Sequence, residues 1–230
     1  MKRFREFINL VRKKFPNTGF FNNFEQNMRQ PDACRVYYAY ERALICLDAD
    51  SWEVLKRKAV GHFKNGRENQ QWQGIFNQLN EAFAYQYLIG KGYKHVRTPS
   101  ETGKTKQPDI EYYDGDKKCF CEVKTLGISE NEIDRRSSDK LQVRDAYSDY
   151  GKLSCGFLGK LKSTLDAAHC QIKAQGGVGL IYLLINFDDI TYDYYDCYHA
   201  QVLACLKEHA AERIYAQIGI PERDHICKPE

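Results

Sequence analysis

The chain has 230 residues, of which 43% are hydrophobic and 28% charged, a composition typical of globular proteins and too apolar for a disordered one. The formal net charge of +3 is unevenly distributed, because residues 1–69 carry an excess of six basic groups and residues 70–230 an excess of three acidic ones. The longest apolar run, residues 178–185, is much shorter than the roughly 18 residues that cross a membrane. We therefore expect no membrane partner.

Nine cysteines are spread along the chain, an odd number with no CxxC pair that would indicate a zinc ribbon or a redox motif. Free thiols are typical of a reducing compartment, and we expect a cytoplasmic protein. An Arg-rich, acid-poor start is also a feature of mitochondrial presequences, but the Ser residues that accompany it there are lacking.

The first third of the chain is predicted to be helical. Apolar residues recur at helical spacing from Phe4 to Phe15, and Pro16 ends the run. Residues 36–47 fit a helix or a strand, whereas Asp50 and Glu53 form a capping-box pattern that predicts the start of the next helix. We expect a basic, mainly helical N-terminal domain over residues 1–69, and a second domain over residues 70–230.

The remainder of the chain alternates between helical and strand patterns. Helices are predicted over residues 72–87, 157–175 and 198–216, and strands near residues 94–98, 108–113, 117–126 and 178–186. Asp114-Gly115 predicts a hairpin turn between the second and third strands. The order helix, three strands, helix, strand predicts an α/β fold with a mixed sheet flanked by helices.

Four residues in this second part carry groups suited to catalysis: Glu81, Asp109, Glu122 and Lys124. Pairing through the predicted hairpin can bring Asp109 opposite Glu122. Because side chains alternate along a strand, Lys124 is expected on the same face as Glu122. Two carboxylates and an ammonium group would then converge at one edge of the sheet.

Neighbouring carboxylates repel one another, and a cation keeps them ionised. Divalent ions with oxygen ligands serve this purpose, and Mg²⁺ commonly binds through one or two carboxylates together with phosphate and water. Such an ion polarises a phosphate and lowers the pKa of a water molecule, and a neighbouring lysine can orient or deprotonate that water. The pattern therefore indicates metal-assisted phosphoryl chemistry.

The sequence Pro108-Asp109, followed by Glu122-Val123-Lys124 on the next strand, resembles the motif of the PD-(D/E)XK nuclease superfamily, which has the restriction-endonuclease-like fold. The preceding helix also matches the opening helix of that family, at Glu81, Ala84, Leu88, Gly92 and Tyr93. All six elements of the family's αβββαβ core are predicted in order between about residues 70 and 186. The resemblance covers about half of the chain and leaves the N-terminal region and the last helix unexplained.

The resemblance implies a hydrolase, most simply a DNA endonuclease that depends on Mg²⁺ or Mn²⁺. It implies that Asp109 and Glu122 ligate the metal, with the Val123 carbonyl as a further oxygen. Lys124 would position or activate the attacking water, and Glu81 would assist through a second metal or a metal-bound water. Gln171, on the second core helix, falls where many members of the family place a Gln or Lys that supports the site.

Alternatives remain for each of these features. Glu122 and Lys124 could form a cross-strand salt bridge, and Gln171 could be a solvated or capping residue. The second acid-x-Lys pattern, Asp116-Lys117-Lys118, lies in the hairpin turn, where charge is expected. The six histidines show no ligand spacing and are interpreted as structural. The chain could also be a non-catalytic nucleic-acid-binding protein that retains a nuclease fold, or a purely structural α/β protein, and it is compatible with a homodimer.

Two basic segments are candidates for contacts with nucleic acid. The first 15 residues hold one acid, Glu6, and six basic groups: Lys2, Arg3, Arg5, Arg12, Lys13 and Lys14. They fit either phosphate contacts or a solvated helix face. The long polar segment 127–154 follows the strand of Glu122 and is expected to be a mobile element beside the site. It carries Arg135, Arg136, Lys140 and Arg144, although it could equally be a surface connection with a short helix.

Overall fold

The structure is a computed structural model that describes residues 1–17, 19, 21–65, 71–100, 107–127, 151–186, 195–211, 213–219 and 225–227. The helices are α1 (Arg3–Lys14), α2 (Phe24–Asn27), α3 (Pro31–Ile45), α4 (Ala49–Asn65), α5 (Gln71–Leu79), α6 (Glu81–Gly90), α7 (Cys155–Ala174) and α8 (Tyr195–Glu208). The strands are β1 (Lys94–Arg97), β2 (Ile110–Asp114), β3 (Lys117–Leu126), β4 (Gly179–Ile185), β5 (Ile214–Ile218) and β6 (His225–Cys227). No helix in the described ranges is long and apolar enough to span a membrane.

The described strands form a mixed sheet in the order β1-β2-β3-β4-β5-β6. Strand β2 is antiparallel to both β1 and β3, β4 and β5 are parallel, and β6 is antiparallel to β5. The Phe120 N–H bonds to the Val178 carbonyl, and the Asn186 N–H bonds to the Leu126 carbonyl, so β3 and β4 also run parallel. The predicted α/β class, with a mixed sheet and flanking helices, is confirmed.

The residues group by their contacts into two compact units. The first unit contains residues 1–123 and 171–180, and the second contains residues 124–170 and 181–230. The predicted domain boundary at residues 69 and 70 falls within segment 66–70, outside the described residues.

In the first unit, the N-terminal helices pack on α5 and α6 through aromatic rings. Tyr40 of α3 lies 4.7 Å from the Phe83 ring and 5.3 Å from the Phe76 ring, measured between centroids. Its buried hydroxyl donates a 2.7 Å hydrogen bond to the side chain of Asn80, which satisfies a polar group that burial would otherwise penalise.

The Glu41 carboxylate of α3 fixes the start of α1. It accepts hydrogen bonds from the backbone N–H groups of Lys2, Arg3 and Phe4, at 2.6, 3.1 and 2.8 Å. The first N–H groups of a helix have no partner within it and carry partial positive charge, so a buried carboxylate is stabilised there.

The hairpin between β2 and β3 has the predicted position. Gly115 adopts a φ of 62°, which glycine reaches without strain, and Asp114 pairs with Lys117 across the turn. The register continues to the pair Ile110 and Cys121. One further step in the same register places Asp109 opposite Glu122.

In the second unit, β4 and β5 form a buried parallel pair. All five residues of β5 are buried, as are Ile181–Ile185 of β4, with which they pair. The Tyr182 hydroxyl donates a 2.6 Å hydrogen bond to Gln217, and its ring stacks on Tyr215. A parallel strand covered on both faces is expected to be apolar throughout, which explains this composition.

Three sequence predictions in the helical regions are settled or revised by the structure. The undecided stretch 36–47 is helical through Ile45, in α3, which begins with Pro31 at its first position. The α4 helix is capped by Asp48, whose Oδ1 accepts the Ser51 N–H at 2.6 Å, so the predicted Asp50 cap is wrong. The predicted helix 72–87 is divided at Asn80, because the Phe83 N–H bonds to the carbonyl three residues back and interrupts the α-helical ladder.

The predicted last helix is wrong in its second half. Helix α8 ends at Glu208, and residues 214–218 form β5. The His209 ring Nδ1 accepts the Ala211 N–H and so stabilises the turn beyond the helix. Short apolar runs fit a helix or a buried strand, and here pairing with β4 decides in favour of the strand.

Gly179 is required where β4 passes β3. A Cβ atom built on Gly179 would lie 2.0 Å from the Phe120 carbonyl oxygen, which is backbone and has little freedom to move.

We predict that Gly179→Ala lowers the free energy of unfolding by roughly 1–3 kcal/mol, as measured by urea denaturation. In the matched control Gly159→Ala, the added Cβ within α7 meets no atom within 4 Å, so the stability should stay unchanged or rise by up to about 1 kcal/mol. Equal effects of the two substitutions would contradict the close approach.

Candidate functional site

Asp109 lies immediately before β2 and is fixed to the neighbouring strand. Its Oδ2 atom accepts a 2.8 Å hydrogen bond from the Val123 backbone N–H. At the open end of the hairpin, the Asp109 carboxylate thus accepts the hydrogen bond that a backbone carbonyl would accept in a regular strand pair. Because this bond engages one carboxylate oxygen, the other oxygen can bind a ligand.

Glu122 and Glu81 are both buried carboxylates of the first unit. Glu122 lies in the middle of β3 and is 2% exposed, while Glu81 is the first residue of α6 and is 6% exposed. Carboxylates are rarely buried to this extent without a specific reason, since removing a charge from water is costly. Their burial marks this part of the unit as a candidate site.

The electrostatics of Glu81 connect it to the other two carboxylates. Burial raises the pKa of Glu81 well above its usual value, and the charge of Asp109 and, more weakly, that of Glu122 raise the pKa further. Lys58 and the hydrogen bond from Gln78 act in the opposite direction. Three of the predicted site residues therefore share one electrostatic environment.

Lys58 and Gln78 are site residues that sequence analysis missed. The Lys58 Nζ lies 3.7 Å from Glu81 Oε2, and the Gln78 side-chain amide donates a hydrogen bond to Glu81 Oε1. Gln78 Oε1 lies 3.4 Å from the His62 Nε2. Lys58 precedes Glu81 by 23 positions and belongs to the predicted N-terminal region, so no local spacing signals the pair. Only the packing of α4 on α5 brings them together.

Lys124 and Gln171 occupy the predicted elements. Lys124 is half-buried on β3, two residues beyond Glu122, so strand alternation places both on one face of the sheet. Gln171 lies in the last turn of α7, and its buried Nε2 has no hydrogen-bond partner among the described residues. Its supporting role stays a prediction.

The donor types suit a hard divalent cation. Within the described ranges, no group of three or more His, Cys, Asp and Glu side chains is arranged to hold a metal ion. The predicted set relies instead on two carboxylates, Asp109 and Glu122, and the Val123 carbonyl, which are oxygen donors of the kind that Mg²⁺ prefers. Glu81 acts on this set through its charge, and its role as a further ligand stays a prediction.

The second acid-x-Lys pattern has a structural explanation. Lys118 and Arg97 form ion pairs with Glu111, at 3.0 and 2.7 Å. Burial would raise the pKa of Glu111, but the hydrogen bonds from Lys118 and Arg97 outweigh it and lower the pKa. The Asp116-Lys117-Lys118 sequence therefore contributes to a cross-strand ion pair beside the turn.

The basic residues of α1 divide into two groups. Three arginines bind other parts of the fold: Arg3 donates to the Leu44 and Leu47 carbonyls, Arg5 pairs with Glu25, and Arg12 donates to the Phe21 carbonyl. The side chains of Lys2, Lys13 and Lys14 are exposed. The lysines are thus better placed to contact a phosphate backbone. Arg135, Arg136, Lys140 and Arg144 of the 127–154 segment lie outside the described residues.

No protein-family model, curated protein or solved structure matches this chain.

The raised pKa of Glu81 predicts a pH-dependent stabilisation by Glu81→Gln. An unfolded glutamate has a pKa of about 4.3, and the folded value lies above it, so ionisation at higher pH favours the unfolded chain. In metal-free buffer at pH 7, Glu81→Gln should raise the free energy of unfolding by roughly 0.5–2 kcal/mol. The gain should shrink as the pH falls and should vanish well below pH 4, where the carboxyl is neutral in both states.

The control for this comparison is Glu53→Gln. Glu53 is an exposed residue of α4, and its partner Lys56 also pairs with Glu6. Its substitution should change stability by less than about 0.5 kcal/mol. Urea titrations at several pH values measure both variants, and a Glu81→Gln chain that is less stable than the wild type at pH 7 would contradict the electrostatic assignment.

Proposed function

We propose that the chain is a metal-dependent nuclease that hydrolyses phosphodiester bonds, with DNA as the first substrate to test. The observation that carries the proposal is the shared environment of three carboxylates, Glu81, Asp109 and Glu122, in which two lie opposite one another on a hairpin. The charges of Asp109 and Glu122 disfavour the ionisation of Glu81, and a divalent cation relieves that repulsion.

The chain's own residues have distinct roles in this proposal. Asp109, Glu122 and the Val123 carbonyl would hold a Mg²⁺ or Mn²⁺ ion, and Glu81 would assist beside them. When bound, such an ion neutralises phosphate charge and acidifies a water molecule. Lys124 would orient or deprotonate the attacking water, and Gln171 would support the site from α7.

The order of elements supports a restriction-endonuclease-like fold. Helix α6, strands β1 to β3, helix α7 and strand β4 follow one another in the order that the PD-(D/E)XK resemblance implies. Within the antiparallel β1-β2-β3 meander, Asp109 lies just before β2 and Glu122 lies on β3, and α7 connects the parallel strands β3 and β4. A crossover helix is the usual connection between parallel strands.

The proposal includes a cytoplasmic location. Several cysteines in the described segments are free thiols, at positions 34, 46, 119, 121, 155, 170, 197 and 205. Free thiols suit a reducing compartment, and they agree with the choice of an intracellular nucleic acid as substrate.

We predict that Asp109→Ala, Glu122→Ala and Lys124→Ala each reduce cleavage by at least about a hundredfold, because each removes a group that the reaction uses. The assay is a panel of duplex, single-stranded and branched DNA and of RNA with Mg²⁺ or Mn²⁺, and chelator should abolish cutting without unfolding the chain. Asp116→Ala and Lys117→Ala, at exposed positions of the hairpin turn, serve as controls and should retain the wild-type rate.

Two results of this panel would contradict the proposal. Full activity of Asp109→Ala would show that the site assignment is wrong. Binding of nucleic acid without any cutting, under all metal conditions, would favour the non-catalytic nucleic-acid-binding protein.

The two groups of basic residues in α1 predict different outcomes. Replacing Lys2, Lys13 and Lys14 with Gln should weaken DNA binding similarly for all sequences. It should also reduce the slope of log affinity against log salt by about 0.9 for each phosphate that the chain no longer neutralises. Replacing Arg3 and Arg12 with Gln should chiefly lower stability, since their guanidinium groups bind backbone carbonyls. Fluorescence anisotropy over a range of salt concentrations tests the first expectation, and an unchanged slope would show that the lysines are merely solvated.

A further inference from the structure

Both oxygens of the Glu81 carboxylate have neighbours outside the predicted motif. Gln78 donates to Oε1 from the end of α5, and Lys58 Nζ lies 3.7 Å from Oε2 on the side of α4. Lys58 and His62 are four residues apart, so they lie on the same face of α4, and His62 in turn lies beside Gln78. A helix of the N-terminal region therefore contributes to the surroundings of a candidate site residue.

Stability alone explains this arrangement poorly. The side chains of Lys58 and Glu81 are only 13% and 8% exposed, and the desolvation of such a pair can exceed the attraction between its charges. Lys56, which also lies on α4, provides a contrast, because it pairs with Glu6 and Glu53, whose side chains are 44% and 65% exposed. Of these two lysines, only Lys58 has a partner, Glu81, on which the charges of Asp109 and Glu122 act.

We propose that Lys58 is a positioning residue of the candidate nuclease site, which holds Glu81, together with Gln78, in the orientation in which Glu81 assists the reaction. The inference rests on the proposed function. It makes α4 part of the catalytic apparatus, so the N-terminal region has a role besides contact with nucleic acid. A misplaced catalytic group can reduce the rate about a hundredfold without weakening substrate binding.

The experiment compares Lys58→Met, Lys58→Arg and Arg57→Met in the full chain. Arg57 is the next residue of α4 and is exposed, so its substitution controls for the loss of a positive charge from this helix. For duplex DNA with Mg²⁺, Lys58→Met should lower kcat by about ten- to a hundredfold and change KM less than about twofold. Lys58→Arg should recover most of the rate, and Arg57→Met should match the wild type.

Two further measurements separate positioning from a loosened fold. The Mg²⁺ concentration for half-maximal rate should stay the same or fall in Lys58→Met. The substitution removes a positive charge, which repels Mg²⁺, from the neighbourhood of the carboxylates. In a Glu81→Gln chain, whose residual rate is measured at high enzyme concentration, Lys58→Met should cause no further loss. A lower melting temperature, a higher Mg²⁺ concentration for half-maximal rate and a raised KM would instead indicate a structural role and overturn the inference.

The outcomes distinguish this inference from the proposed function. A wild-type chain that cuts DNA while Lys58→Met behaves like Arg57→Met overturns the inference alone. A wild-type chain that neither cuts any substrate nor binds Ca²⁺ or Mn²⁺ in calorimetry overturns the proposed function, and the positioning role with it.

Discussion

The burial of Glu81 within the influence of two other carboxylates is the constraint on which the candidate site depends. Glu81 and Glu122 are buried, and the charges of Asp109 and Glu122 both disfavour the ionisation of Glu81. The fold partly relieves this repulsion through Lys58 and through hydrogen bonds from Gln78 and the Val123 backbone. Natural folds retain such unfavourable groupings mainly where function requires them, which is why this region carries the proposal.

The backbone of the first unit positions these groups more than the side chains do. The φ of 62° at Gly115 permits a tight turn, the register of the hairpin then fixes Asp109 opposite Glu122, and the start of α6 fixes Glu81. A shift of one residue in the register would turn Glu122 to the other face of the sheet and separate it from Asp109. The geometry of the site therefore depends on a turn that begins six residues after Asp109.

Sequence patterns predicted the parts of this arrangement that local rules determine. The turn at Asp114-Gly115, the strands on either side of it and the order of the core elements follow from alternation and turn chemistry, and the structure contains them. The patterns failed where residues far apart in the sequence determine the local structure. The break at Asn80 accompanies a bond from Tyr40, β5 depends on pairing with β4, and Lys58 reaches Glu81 only because α4 packs on α5.

The bond between Asp109 and the Val123 N–H has a consequence for spectroscopy. An amide proton held by a side-chain carboxylate responds to whatever else binds that carboxylate, whereas an amide in a regular strand pair is held by a backbone carbonyl. The Val123 amide resonance should therefore report on occupation of the candidate site in solution, without any substrate present. The same residue that contributes a backbone oxygen to the proposed ligand set thus carries, on its nitrogen, a natural probe of that site.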